Sequence, residues 1–236
     1  MRAIQVELPP ARRVLDIGCG TGWVMGEAHT QGPCLRVGMD TSVDAMKRGR
    51  RQYPMTFAAA DGTLMPFADD TFDVVIGHVS MPYMNTQSAL QEIFRVLVPG
   101  GSVFLTFHSF GSVRSRFGAS LRRRNGKDLL FCAYMALNGV FNHFGLPQFR
   151  PGWNRNRFET VNSAHGVCRT ARKSGFVLTS AETSVERIFF AFTARKPNGA
   201  TGPVLPAPAW AIYCPLAETG LVAQRRARAA GRKSAG

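Results

Sequence analysis

The sequence predicts an α/β chain built on a doubly wound, mostly parallel seven-stranded sheet. Three observations predict it. Short apolar runs alternate with segments of helical periodicity from residue 14 onward, the pattern of parallel strands with helices packed on both faces. The first apolar run feeds directly into a turn holding three glycines at 18, 20 and 22. Acids or histidines follow successive apolar runs, at Asp16, Asp40, Asp61, His78 and His108, on the rim where open α/β sheets bind ligands.

The elements follow in order. Val14, Leu15 and Ile17 make the first strand, and the turn after it leads into a helix. Glycine lets the backbone turn tightly and lets a ligand approach the main chain. A helix N-terminus offers unpaired N–H groups and a positive dipole end. A dinucleotide fingerprint spaces its glycines G-x-G-x-x-G, but residue 23 is Trp23 and the run reads Asp-x-Gly-x-Gly-x-Gly from Asp16. Leu35 to Met39 is a second strand ending at Asp40, an acid that suits a ribose because one carboxylate can accept from two hydroxyls. Thr41 or Ser42 caps a helix from about Val43 to Tyr53. Met55 to Ala60 is a third strand, ending in Asp61-Gly62. Asp73 to Gly77 is a fourth, followed by His78. Ala89, Leu90, Ile93, Phe94 and Leu97 give 86–97 a helical face. Pro99-Gly100-Gly101 breaks the chain before a fifth strand, Ser102 to Phe107, and His108. Val161, Ala164, Val167, Cys168 and Ala171 make a further helical face that Gly175 ends. Phe176 to Thr179 and Arg187 to Ala194 are the last two strands.

The decapeptide from Val14 to Trp23, with Asp16 two residues before Gly18, resembles motif I of the class I S-adenosylmethionine-dependent methyltransferases. Residues 69–75 resemble the same family's approach to strand four, and 94–104 its approach to strand five. The resemblance covers 12–108 closely and 160–197 loosely, and is closest to the small-molecule and lipid-like acceptor branch that includes the ubiquinone and menaquinone biosynthesis methyltransferases. It implies a Rossmann-like methyltransferase fold closed by an antiparallel edge pair, an enzyme, and S-adenosylmethionine as cofactor. It implies cofactor-binding roles for Asp16, Gly18, Cys19, Gly20, Asp40, Thr41, Asp61, Gly62 and His78. In that family the acid after the third strand receives the adenine amino group, and the position of His78 contacts the methionine end.

The implied chemistry asks little of side chains. The sulfonium methyl is already activated for in-line displacement, so the protein must hold donor and acceptor collinear and exclude water. A base is needed only for a phenol, a hydroxyl or an acidic carbon. His108, at the end of strand five, is the best-placed candidate for a catalytic role. His29, His143 and His165 have no positional argument. Family members place one or two helices before the first strand. About eleven residues precede Arg12 here, so the insertion described next, or a partner chain, is expected to help cover the cofactor.

Charge divides the chain. Residues 1–100 hold nine Lys/Arg and ten Asp/Glu, whereas residues 101–236 hold twenty and five. Part of the excess lies in 109–159, an insertion with Arg114, Arg116, Arg122, Arg123, Arg124 and Lys127 ahead of an aromatic helix from about Asp128 to Phe144, which Asn138-Gly139 weakens. Three readings fit it: a substrate lid, because long insertions in compact domains are usually functional; a peripheral membrane-surface patch; and a nucleic-acid patch, the weakest because no RNA-binding motif is present. The class I domain is expected to span 1–197. A Pro/Ala-rich arm and basic tail, 198–236, reads as a flexible extension. No run of about 18 uncharged apolar residues predicts a spanning helix, and 1–10 is too short and mixed for a signal peptide. Five cysteines without Cys-x-x-Cys spacing point away from a metal site or a disulfide framework, and toward the cytoplasm. The function expected is methyl transfer to a small-molecule or lipid-like acceptor. The alternative is a non-catalytic methyltransferase-like protein using its basic half to bind RNA or a partner.

Overall fold

The computed structural model describes residues 6–7, 10–29, 32–152, 158–183 and 188–197. The arm and basic tail expected at 198–236 lie outside the described residues. The central sheet has seven strands: β1 (Arg13–Ile17), β2 (Leu35–Asp40), β3 (Thr56–Ala59), β4 (Phe72–Gly77), β5 (Leu97–His108), β6 (Val177–Thr183) and β7 (Phe189–Arg195). Their spatial order is β3-β2-β1-β4-β5-β7-β6. Pairing is parallel from β3 through β5, and β7 runs antiparallel to both β5 and β6. The doubly wound sheet with its antiparallel edge pair is therefore present. Strand order reverses between β1 and β4, and ligands of open sheets bind outside the carboxyl ends at such a switch point.

Burial explains why the inner strands read as continuous apolar runs. Val14, Leu15, Ile17, Val74, Val75 and Ile76 are all buried, as expected of strands covered on both faces. On one face Leu15, Ile17 and Val75 share a core with Leu90 and Ile93 of α3 (Thr86–Val96) and Val167 and Ala171 of α6 (Ala164–Lys173). On the other, Val14, Ile76 and Phe104 pack against Val24 and Met25 of α1 (Trp23–Gly26). Asn85 caps α3, its side chain accepting from the Ser88 N–H at 3.0 Å, and Ser163 caps α6 through the Gly166 N–H at 3.0 Å.

Four local expectations are corrected. The helix after the glycine turn is a single turn, α1, because the chain must already pair Ala28–His29 with Val6–Glu7 and start β2 at Leu35. Helix α2 (Val43–Gly49) stops short of Tyr53. Pro99-Gly100-Gly101 does not precede β5 but forms a bulge within it. Register shifts between the Phe72–Leu97 and Val74–Ser102 pairs, and Gly100 and Gly101 bond to the backbone of Lys196. Among its described residues the insertion contains two helices, α4 (Phe110–Arg122) and α5 (Gly126–Phe144). The segment bearing Arg114, Arg116 and Arg122 is itself helical, hidden from periodicity because Val113 is its one buried apolar residue.

Asn138-Gly139 does not interrupt α5. Asn138 donates to the Phe149 carbonyl at 2.9 Å and accepts from its N–H at 3.0 Å. A Cβ on Gly139 would stand 2.7 Å from Val161 Cγ2 and 2.9 Å from the Phe110 ring. Close packing thus offsets the cost of about 1 kcal/mol that a mid-helix glycine carries.

Candidate functional site

The glycine turn is held by its own amides. Gly18 and Cys19 N–H groups donate to the Met39 carbonyl at 2.7 and 3.0 Å, and Gly22 N–H donates to the Cys19 carbonyl at 2.7 Å. Gly20 N–H donates to Asp40 Oδ2 at 2.8 Å. The expectation that this turn and a following helix offer spare donors is thus corrected: these amides are spent, and α1 is one turn long. The turn's contribution is its thinness. Gly18, Gly20 and Gly22 have φ of 67°, 56° and 78°, the left-handed region that glycine enters without penalty. A Cβ on Gly18 would overlap the side chain of Ser80, whereas a Cβ on Gly20 would enter open space. Gly18 therefore lets the turns after β1 and β4 touch, and Gly20 leaves room beside Asp40.

Asp40 ends β2 with both carboxylate oxygens engaged, Oδ1 accepting from the Ser42 N–H at 2.7 Å. Each oxygen keeps capacity for a further donor. Asp61 is exposed after β3, and its Oδ1 accepts from the Thr63 N–H and hydroxyl at 2.8 and 2.7 Å. Asp16 is buried at the end of β1, and its Oδ2 has no partner. Burial first, and then the Asp40 charge, push its carboxyl up to about 8. Ser80 is also buried, and its hydroxyl is likewise unpartnered.

A cavity of about 320 Å³ opens at this rim, lined by Gly18, Asp40, Thr41, Asp61, Gly62 and, after β4, Val79, Ser80, Tyr83 and Met84. Five of the residues singled out from sequence thus line one space. Asp16, Cys19, Gly20 and His78 do not. Cys19 is buried against Met46 and Phe57, with its thiol pushed up by burial and by the charges of Asp16 and Asp40. His78 lies edge-on to Trp23, with ring centroids 6.1 Å apart. Beyond His78, the residues of the turn after β4 that line the cavity were missed by sequence reasoning. The turn's one mark is conformational: Val79 has a φ of 57°, rare for a β-branched residue and typical of strain held at working sites.

His108 sits behind Tyr83, with ring centroids 6.2 Å apart, and against Phe189 at 4.9 Å. Burial lowers its pKa, with Glu159 opposing and Arg116 adding to the effect, so the imidazole is neutral at neutral pH. Arg116 and the buried Glu159 approach at 3.4 Å. The chain leaving the insertion returns to this corner: Asn162 N–H donates to the His108 carbonyl and Thr160 N–H to the Pro82 carbonyl, both at 2.8 Å. A second cavity of about 150 Å³ adjoins the first, sharing Asp61, Tyr83 and Met84 and adding Gln148, Arg150 and Phe158. Arg122, Arg123 and Arg124 line neither; they are exposed at the tip of the α4–α5 hairpin.

The sequence model of one family, described as a methyltransferase domain, matches residues 14–101. That span runs from β1 into the bulge of β5 and carries the acids and glycines just described. Over residues 14–101 the chain is similar to that family. The demethylmenaquinone methyltransferase of Streptomyces griseus is 35% identical over 105 residues, covering 44% of this chain and 45% of the relative. The malonyl-[acyl-carrier protein] O-methyltransferase of Enterobacter lignolyticus is 33% identical over 108 residues, covering 44% and 43%. The chain spans less than half the length of these relatives. An S-adenosylmethionine-dependent methyltransferase of known structure from Mesorhizobium loti superposes with a TM-score of 0.57 at 18% identity, covering 80% of this chain and 93% of that one. The structural likeness covers more of the chain than the matched segment, and at that identity it speaks for the fold. The cavity, by contrast, lies within the matched segment.

Proposed function

We propose that this chain transfers a methyl group from S-adenosylmethionine to a small-molecule or lipid-like acceptor by in-line displacement. One observation carries the reading: the cavity at the switch point, inside the matched segment, gathers Asp40, the Gly18 turn and Asp61-Gly62. The residues fit a nucleoside bearing an ammonium group. Asp40 accepts from the ribose hydroxyls with its remaining capacity. Asp61 and Gly62 receive the adenine. Asp16 Oδ2 and the Ser80 hydroxyl, both buried and unpartnered, suit donors from the methionine end, the part of the cofactor that the resemblance assigns to His78. The cofactor supplies an activated methyl. The chain's own work is to bind, align and exclude water, which orientation alone makes worth several kcal/mol.

For the acceptor, the adjoining cavity offers the Tyr83 and Phe158 rings with Arg150 and Gln148, suited to an apolar body bearing an anionic or carbonyl oxygen. The insertion is read as the wall, or lid, of this side. His108, neutral and near Tyr83, is the proposed general base where the acceptor carries an ionisable proton.

The test is calorimetric titration with S-adenosylhomocysteine. Asp40→Ala removes both the ribose acceptor and the anchor of Gly20, and is expected to weaken binding by about 2–4 kcal/mol, as for charge-assisted bonds. An unchanged dissociation constant in a folded variant would overturn the assignment. Profiling of extracts with a labelled methyl donor then identifies the acceptor.

A further inference from the structure

Helix α5 is apolar on two sides. Its inner side, with Phe131, Cys132, Tyr134 and Met135, makes a small core with Val113 and Val161. Its outer side exposes Leu130, Leu137, Val140 and Phe144, between 40% and 67% accessible. These four, with exposed Ala133, recur at helical spacing along one stripe. From 130 to 144 that stripe is about 21 Å long at the rise of an α-helix. Helix α4 adds exposed Phe117 and Leu121. A surface helix ordinarily turns a polar face to water, so this outer face calls for a partner.

The charge around the stripe says which. Arg114, Arg122, Arg123, Arg124 and Lys127 are all exposed, and Asp128 is the only acid in the sequence between 101 and 152. Arg116 alone of the hairpin's cations is held inward, by Glu159 and Asp128. Nucleic acid would use the cations and leave the leucines and phenylalanines in water. An anionic bilayer uses both: acidic headgroups attract the cations, and the apolar stripe enters the headgroup–acyl boundary. No described helix is long and apolar enough to cross a membrane, which leaves the helix lying in the interface.

We propose that the α4–α5 hairpin docks the protein on an anionic lipid surface. Leu130, Leu137, Val140 and Phe144 enter the boundary layer, and Arg122, Arg123, Arg124 and Lys127 meet the headgroups. The proposal stands on the hairpin's outer face and is independent of the reaction assigned to the cavity.

Co-sedimentation of the full chain tests it, with vesicles of equal parts phosphatidylglycerol and phosphatidylcholine and with phosphatidylcholine alone. Strong, salt-sensitive binding to the anionic vesicles is expected, and little to the neutral ones. Replacing Arg122, Arg123 and Arg124 together by Ser should lower partitioning roughly a hundredfold, from the usual contribution of each cation near an anionic surface. Leu130→Ser, Leu137→Ser and Phe144→Ser combined should abolish it. Val177→Ser, an equally exposed apolar residue on edge strand β6, should change nothing. Melting curves and S-adenosylhomocysteine affinity of the exposed-residue variants should match the parent. If the parent itself fails to bind S-adenosylhomocysteine, the cavity assignment falls while the vesicle result stands. Three outcomes would overturn the docking proposal: equal binding to neutral vesicles, binding untouched by both sets of substitutions, or no vesicle binding at all. The last would point elsewhere if the arginines retain RNA, or if the stripe variant alone converts a dimer to monomer.

Discussion

Asp16 is a carboxyl group folded into a place that disfavours its charge. Burial and the neighbouring Asp40 raise it from 3.8 to about 8. In the unfolded chain the group ionises near its ordinary value. Its contribution to stability is therefore full below that value, declines as pH rises, and is lost as pH passes the folded value. Asp16→Asn keeps the shape and cannot ionise. Its melting temperature should exceed the parent's at about pH 8 and converge with it near pH 4; parallel melting curves across that range check this, and a constant offset would refute it. By the same linkage, a ligand that prefers the ionised carboxylate should bind the parent more tightly as pH rises toward 8, and the Asn variant should lose that slope. Asp16 was legible in sequence as the acid before a glycine turn. Its unpartnered oxygen was not, because burial is set by β2 and β4 on either side. Ser80 and Tyr83 were illegible for a similar reason: Ser and Tyr carry no spacing motif, and Gly18 reveals the contact with Ser80 only once the two turns meet.

At the scale of elements, the helices that pack on the sheet were readable and those that pack on each other were less so. Ala89, Leu90 and Ile93 of α3 keep strict periodicity because one face meets the sheet. Helix α1 could not be sized from sequence, since its end depends on the short pairing of Ala28–His29. Helix α5 survives Asn138-Gly139 because the glycine admits Val161 and Phe110 to its backbone. Gly139→Val is accordingly expected to cost about 1–3 kcal/mol, the usual penalty of overpacking, read by denaturant unfolding. S-adenosylhomocysteine affinity should stay near the parent's, because the cavity's cofactor side lies in other elements. An unchanged unfolding midpoint would mean that α5 does not rest on Val161 through this glycine.

Across the whole molecule, labour is divided along the chain. The groups assigned to the cofactor end at Ser80, whereas the insertion brings Gln148, Arg150 and Phe158 to the adjoining cavity. The cationic excess after residue 100 belongs to this second half and steers anions toward it. Arg150→Ser should raise the acceptor's KM about tenfold if the acceptor bears an anionic group, the usual loss for one charged hydrogen bond. The S-adenosylhomocysteine dissociation constant should not move. Steady-state kinetics alongside calorimetry separates the two, and a shift in cofactor affinity with KM unchanged would place Arg150 on the wrong side of Tyr83.

The sequence by itself determined the doubly wound sheet and the acids and glycines of the rim, because each rests on local patterning: apolar runs buried on both faces, and turn residues at strand ends. Only the tertiary structure decided which of those residues share a cavity. It spent the turn amides on Met39 and Asp40, put Cys19 in a core, and set His108 behind Tyr83. It also placed Arg150, rather than the arginine run at 122–124, beside the site. The physical reason is common to all of these: they depend on contacts between segments far apart in the chain, and periodicity and spacing report only on neighbours.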